Sequence, residues 1–263
     1  MSQGVTGAGA GLGLGTTGGT IFAHDAAAST RQNETSRHAC IGGDDSILIT
    51  RLMYRYIAFE GPIGVGKTAM ATRLAARLDA TTVLEETENP FLSDFYSGRP
   101  GSALQAQLFY LLSRHRQQIA LRQGNLFTQA TVSDYLFDRD KIFAYLNLDD
   151  NELFIYQRLY DLLAKDVSTP DLVVYLQAPT DVLLRRQRGR VKEVEDDVPD
   201  PAPEYLRELN EAYQHFFFHY TATPLLVVET SQLDLSGSEA ALDGLIKQIS
   251  TMGRGTQYYV PRA

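Results

Sequence analysis

One octapeptide constrains this chain more than any other feature of it. Gly61-Pro62-Ile63-Gly64-Val65-Gly66-Lys67-Thr68 has two glycines bracketing four residues and then Gly-Lys-Thr, the pattern of a phosphate-binding loop. Backbone N–H groups can curl around an anion there because no Cβ stands in the way. In such a loop the lysine reaches the β- and γ-phosphates of a nucleotide and the threonine hydroxyl meets Mg²⁺. The flanks supply the context the loop requires. Residues 54–60 are aromatic and β-branched, which predicts a short strand. Residues 69–78 carry Ala, Met and Leu at helical spacing with no breaker. Strand, glycine loop and helix N-terminus together form an anion site, and the helix dipole adds to it. All eight residues, Gly61 to Thr68, are therefore candidates for binding a nucleoside triphosphate.

The 263 residues carry a formal charge of −8, which argues against a nucleic-acid partner and against a basic membrane-surface protein. A single cysteine, Cys40, allows no intramolecular disulfide and fits a reducing, cytoplasmic setting. No apolar run approaches the roughly 20 residues needed to span a bilayer. Residues 1–52 are dominated by Gly, Thr, Ala and Ser, too little apolar surface to offset the entropy of ordering. They read as a disordered tail, or as a start assigned too early, with Met53 as the true one. Residues 53–263 then form one domain.

Within that domain strands and helices alternate. Strands are expected at 54–60, 81–84, 126–133, 171–176 and 224–229. The longest helical pattern covers 102–123, two helical segments fill 141–165, and an amphipathic helix closes 238–252. Segment 126–133 is only moderately hydrophobic, less so than a buried central strand would suggest. Phe216-Phe217-Phe218 reads as core or dimer-interface packing. The alternation predicts a three-layer α/β fold of the P-loop NTPase kind, with a five-stranded parallel sheet and an arginine-rich lid.

A phosphoryl transferase, a GTPase switch and a mechanical ATPase all use such a loop. No Asn-Lys-x-Asp guanine signature is present, and a single compact domain with an arginine cluster at Arg185, Arg186, Arg188 and Arg190 favours a small-molecule kinase. From Met53 onward the chain resembles the deoxyribonucleoside kinases, particularly the bacterial deoxyadenosine/deoxyguanosine kinase branch. The resemblance is carried by Phe59-Glu60 with the loop, by Glu85-Glu86 with Asn89-Pro90-Phe91-Leu92, and by Gln107 with Leu112-Ser113-Arg114. Val132-Ser133-Asp134-Tyr135, Tyr175-Leu176-Gln177-Ala178-Pro179, Arg188-Gly189-Arg190, Glu204-Tyr205-Leu206 and the 255–261 tail continue it.

The resemblance implies ATP-dependent phosphorylation of the 5′-hydroxyl of a deoxynucleoside, purine or deoxycytidine, with Mg²⁺, by a homodimer. It makes one of Glu85 and Glu86 the base that takes the hydroxyl proton. Glu85 occupies the place of the family's strand-end glutamate, and the carboxyl edge of such a sheet is where ligands bind. Gln107 and Arg114 are two helical turns apart, hence on one face. The family uses them to hold the nucleobase, and Asp140 is expected to face it too. Tyr96 and Glu193 match the residues that meet the sugar 3′-hydroxyl. Asp134 ends the third strand, where phosphate-loop enzymes hold Mg²⁺ directly or through water. Lys67, Arg188 and Arg190 would stabilise the transferring phosphoryl group, and Arg185 would join the ATP site.

The chain departs from the animal members in one triplet. An acid-Arg-Ser sequence is replaced by Asp134-Tyr135-Leu136, and Arg139 or Asp140 could compensate for the lost arginine. A thymidylate-type monophosphate kinase and a non-catalytic nucleotide-binding protein are the alternative readings.

Overall fold

The computed structural model describes residues 54–124, 130–189, 201–233 and 238–261. The 1–52 tail lies outside them. The strands are β1 (Tyr56–Glu60), β2 (Thr81–Val83), β3 (Thr131–Ser133), β4 (Leu172–Gln177), β5 (Leu225–Glu229) and β6 (Thr256–Tyr259). The helices are α1 (Lys67–Leu78), α2 (Leu92–Tyr96), α3 (Ser102–Gly124), α4 (Asp140–Asn147), α5 (Asp150–Leu163), α6 (Thr180–Gly189), α7 (Pro203–Phe218) and α8 (Glu239–Ser250).

The strands form one sheet in the order β2-β3-β1-β4-β5-β6, with every neighbouring pair parallel. The sheet therefore has six strands where the sequence predicts five. The extra one, β6, alternates exposed and half-buried residues at an edge. Thr256-Gln257-Tyr258-Tyr259 has no apolar run to announce a strand, and its backbone pairing with β5 defines it.

Alternation along the central strand sorts the two layers of core. Ile57 and Phe59 face a cluster with Met70 and Leu74 of α1 and Leu245 and Ile249 of α8. Tyr56 and Ala58 face the other way, onto Ile142 of α4 and Leu209, Tyr213 and Phe217 of α7. Period-2 alternation with both faces buried is the signature of a sheet sandwiched between helices. Each fully buried Leu, Ile or Phe contributes about 2 kcal/mol by leaving water. A third cluster, Leu111, Phe137, Ala144, Tyr156 and Tyr160, joins α3, α4 and α5.

Strand β3 lies between β2 and β1, and its three residues are all buried. Its modest hydrophobicity had suggested otherwise. The discrepancy resolves at Ser133, whose hydroxyl donates to the Tyr135 carbonyl at 2.8 Å, so a polar side chain is satisfied inside the core. Residues 126–129 of the expected strand lie outside the described residues.

The break inside 141–165 has a local cause. Leu148 leaves the helical region at φ −99°, ψ 142°. Asp149 then opens α5 with a capping box, accepting the Asn151 and Glu152 amides at 2.9 Å each while Glu152 accepts the Asp149 N–H. Helix α7 starts with Pro203 in its first turn, where the missing N–H costs nothing. Of the aromatic triplet, Phe217 is buried, ring-stacked on Tyr175 at 4.2 Å, whereas Phe218 is 81% exposed. Among the described residues no helix is long and apolar enough to cross a membrane.

Candidate active site

Because all strands run parallel, their carboxyl ends share one edge of the sheet. The glycine loop follows β1, Glu85 follows β2 and Asp134 follows β3. Ligands of open α/β sheets bind along that edge.

The loop's glycines are conformational requirements. Gly61 has φ 152°, and a Cβ there would stand 2.3 Å from the Leu176 carbonyl oxygen of β4. Gly66 caps α1 at φ 99°, a left-handed geometry that costs other residues energy. The Lys67 ammonium donates to the carbonyls of Gly61 at 2.7 Å and Pro62 at 3.3 Å, folded back across the loop's mouth. The Thr68 hydroxyl donates to Asp134 Oδ2 at 2.6 Å. One hydroxyl and one carboxylate converge there, both hard oxygens. That set suits Mg²⁺, which keeps most of its shell for water and phosphate and takes only one or two protein ligands.

Asp134 also ties the phosphate end to the next group. Its Oδ1 accepts the Glu85 backbone N–H at 2.7 Å. The Glu85 carboxylate in turn sits in a buried cluster of ions. Its Oε1 accepts Arg114 Nε at 3.0 Å and Nη2 at 2.7 Å, and Arg139 Nη2 donates to the same oxygen. Arg114 Nη1 bonds Asp140 Oδ1, Tyr156 donates its hydroxyl to Asp140 Oδ2 at 2.8 Å, and the Gln107 amide donates to the Asp140 carbonyl at 3.0 Å. Burial would raise the Glu85 carboxyl, but Arg139 and Arg114 outweigh it and hold it at about 2. Tyr110 and Phe143 lie against the guanidinium faces of Arg114 and Arg139, at 5.1 and 5.3 Å.

Gln107, Arg114, Asp140 and Glu85 are thus brought together from α3, α4 and the segment after β2. Glu86 is exposed and accepts the Ser113 hydroxyl. Tyr96 ends α2, half-buried, its ring 5.1 Å from Phe95. Tyr135, at the place of the family arginine, is fully buried, with its hydroxyl accepting from Gln118 at 3.2 Å. It belongs to the core. Beside Arg114, a second guanidinium reaches Glu85 from Arg139, five residues beyond Asp134.

Two participants had no sequence signal. Glu60 looks like the last residue of a strand, yet it is 0% exposed. Its Oε1 accepts the Gly61 N–H at 2.9 Å and the Tyr213 hydroxyl at 3.1 Å, and its Oε2 accepts the Leu136 N–H at 2.8 Å. Burial leaves its carboxyl raised above the ordinary value, although Arg139, Lys67 and the two amides oppose the shift. Tyr156 is the second. Its helix reads simply as amphipathic, and only the fold brings it to Asp140.

In the arginine cluster the structure redistributes the expected parts. Arg185 faces solvent and pairs with Asp181 one turn earlier at 2.8 Å, and Arg188 is exposed. Arg186 is the one turned inward, donating to Thr230 Oγ1 at 3.1 Å and lying 3.5 Å from the Val65 carbonyl of the loop. Arg190 and Glu193 lie outside the described residues.

Known proteins resemble this chain in sequence and fold. Residues 57–253 match the family described as deoxynucleoside kinase. Deoxyguanosine kinase of Bacillus subtilis is 32% identical over 165 residues, 60% of this chain and 76% of that protein. Deoxyadenosine kinase of Dictyostelium discoideum is 34% identical over 167 residues, 61% of this chain and 66% of that protein. Among solved structures, that of deoxyadenosine kinase from M. mycoides with bound dATP superposes with a TM-score of 0.61 at 22% identity. It covers 75% of this chain and 100% of its own, a likeness of fold.

Proposed function

The chain belongs to the deoxynucleoside kinase family, and from that premise we propose how its residues carry a phosphoryl group from ATP to the 5′-hydroxyl of a deoxynucleoside. One observation carries the assignment. Glu85 is fixed by two arginines on its carboxylate and by Asp134 on its backbone, and Asp134 bonds the loop threonine. Acceptor base and phosphate loop are thereby a single hydrogen-bonded unit.

Glu85 takes the proton of the 5′-hydroxyl as the oxygen attacks the γ-phosphorus. Lys67, now resting on loop carbonyls, exchanges them for phosphate oxygens. Thr68 and Asp134 would hold Mg²⁺, which would supply positive charge to offset that of the phosphates. Arg188 and Arg185, both on α6, together with Arg190 supply the cations that close over the triphosphate. Gln107, Arg114 and Asp140 meet the edge of the nucleobase, and Tyr96 and Glu193 meet the sugar 3′-hydroxyl. The named relatives act on deoxyguanosine and deoxyadenosine, which supports purine deoxynucleosides first and deoxycytidine second. We read the enzyme as a cytoplasmic homodimer. Phe154, Ile155 and Leu162 on α5 are all more than half exposed, an apolar face of the kind a second subunit covers.

The test is phosphate transfer from ATP·Mg²⁺ to deoxyadenosine, deoxyguanosine, deoxycytidine, thymidine and thymidine monophosphate. Turnover is expected on at least one nucleoside, and Glu85→Gln should lower kcat about 10²–10⁴-fold while ATP affinity holds. Turnover on the monophosphate alone would refute the reading.

A further inference from the structure

Among the described residues, Glu60 is the one buried carboxylate beside the site to which the mechanism above gives no task. Charged side chains are almost never fully buried without a partner, and β1 is otherwise apolar and aromatic. All its bonds are ones in which it accepts: two backbone amides and a phenol. Both oxygens are occupied, which is the pattern of an ionised group.

What those donors belong to gives the group its meaning. Gly61 is the first residue of the phosphate loop. Leu136 lies in the turn that leaves Asp134. Tyr213 comes from α7, which packs behind the sheet. Arg139 Nη1 stands 3.7 Å from Glu60 Oε1, an ion pair, while Nη2 of the same guanidinium bonds Glu85. A guanidinium is a rigid planar fork, so fixing one arm fixes where the other arm points.

We infer that Glu60 is a positioning residue for the transfer reaction: it anchors Arg139 so that Arg139 aims the acceptor base Glu85, and it ties that aim to the first amide of the phosphate loop. The inference rests on the kinase reading and deepens it. Glu60 touches no solvent and so no substrate; it acts through Arg139. The arginine that the animal members carry directly after the strand-end acid is absent here, and Tyr135 fills its place in the core. An arginine arriving from five residues downstream needs an anchor of its own, and Glu60 provides it.

A glutamine at position 60 tests this. Its amide keeps the shape but has one acceptor oxygen and one donor nitrogen, so it cannot satisfy Leu136 on one side and Gly61 with Tyr213 on the other, and it carries no charge for Arg139. Glu60→Gln, Arg139→Met and the double variant are assayed for kcat, for KM of the deoxynucleoside and of ATP, and for urea stability. The expected result is a kcat at least about tenfold lower in Glu60→Gln with deoxynucleoside KM changed by no more than about threefold. The double variant should be no slower than Arg139→Met alone, because the two act in series. Tyr213→Phe, which removes one donor and leaves the ring stack, should lower kcat a few-fold in the same sense, and it serves should Glu60→Gln fail to fold. Wild-type kcat in both Glu60→Gln and Tyr213→Phe, or losses that multiply in the double variant, would overturn the inference and leave the kinase reading intact. A wild-type protein that transfers phosphate to none of the deoxynucleosides would overturn both.

Discussion

Replacing Arg114 by methionine isolates what the buried ion cluster is worth. Arg114 is 3% exposed, and its partner Asp140 is 0% exposed. With the guanidinium gone, Asp140 keeps a single side-chain donor, the Tyr156 hydroxyl at 2.8 Å. Breaking a buried pair by removing one partner costs about 3–5 kcal/mol, and that remaining hydrogen bond sets the expectation at the low end, about 3. Adding Asp140→Leu removes the stranded charge, and the residual cost is a buried Tyr156 hydroxyl without an acceptor, about 1–3 kcal/mol. The double variant should therefore be no less stable than the single one, and adding Tyr156→Phe should raise stability further, short of wild type by what Glu85 loses with Arg114. Glu85 loses Arg114 in all three variants and keeps Arg139, so that loss cancels among the variants and stands as a common offset against wild type. Urea unfolding reads this as the midpoint falling, holding or recovering, and then recovering further, at constant slope. If Asp140→Leu lowered the midpoint of the Arg114→Met protein further, by as much as it lowers the wild type, the coupling argued from these distances would be wrong.

Three more outcomes follow from the same geometry. Glu85 lies at about 2 in the folded protein against an ordinary 4.5, a difference worth roughly 3 kcal/mol. Since the folded value is the lower one, that stability is fully present above about pH 4.5 and drains away as pH falls toward 2. The gap in unfolding free energy between wild type and Glu85→Gln should accordingly be flat above about pH 5 and close in acid; a gap unchanged down to about pH 2.5 contradicts it. Gly61→Ala should destabilise by at least about 2 kcal/mol and abolish ATP binding by calorimetry, because its Cβ would meet a backbone oxygen of β4 at 2.3 Å. Asp134→Asn replaces one of two accepting oxygens, so turnover should fall about 100-fold with the Mg²⁺ dependence moved to higher concentration, and an unmoved dependence would remove Asp134 from the metal.

How much of this could be read from residues alone depended on whether the signal was local. The loop was legible because its glycines answer a steric demand of a few consecutive bonds, as Gly61 against Leu176 shows. Gln107 and Arg114 were legible because helical periodicity puts them on one face whatever the helix packs against. Strand β6 was not, since its strand character comes from pairing with β5 and not from its own side chains. Glu60 shares the difficulty in another form, and Arg139 was legible only as one of two candidates, with Asp140, to replace the lost arginine. Their partners lie 76 and 54 residues away, at Leu136 and Glu85, and no spacing rule links them. The arginine cluster shows the limit of composition. It located the helix near the loop, but the inward residue is Arg186, chosen by which side of α6 faces Val65 and Thr230.

The place of β1 in the sheet bears on how the protein comes to exist at all. Among the described strands it is the first made and one of the two central ones, and neither neighbour is local: Tyr56 pairs with Thr131 and Ile57 with Leu172, separations of 75 and 115 residues. A nascent chain carrying β1 has nothing to pair it with until β3 and then β4 have been synthesised. Its apolar residues, flanked by unpaired backbone, are meanwhile the stickiest surface the polypeptide offers. Closing such long loops before any contact rewards them slows folding to the order of milliseconds to seconds. Yield in the cell should thus be governed by temperature and by chaperone supply during synthesis, and substitutions in β1 should show as aggregation before they show as lost activity.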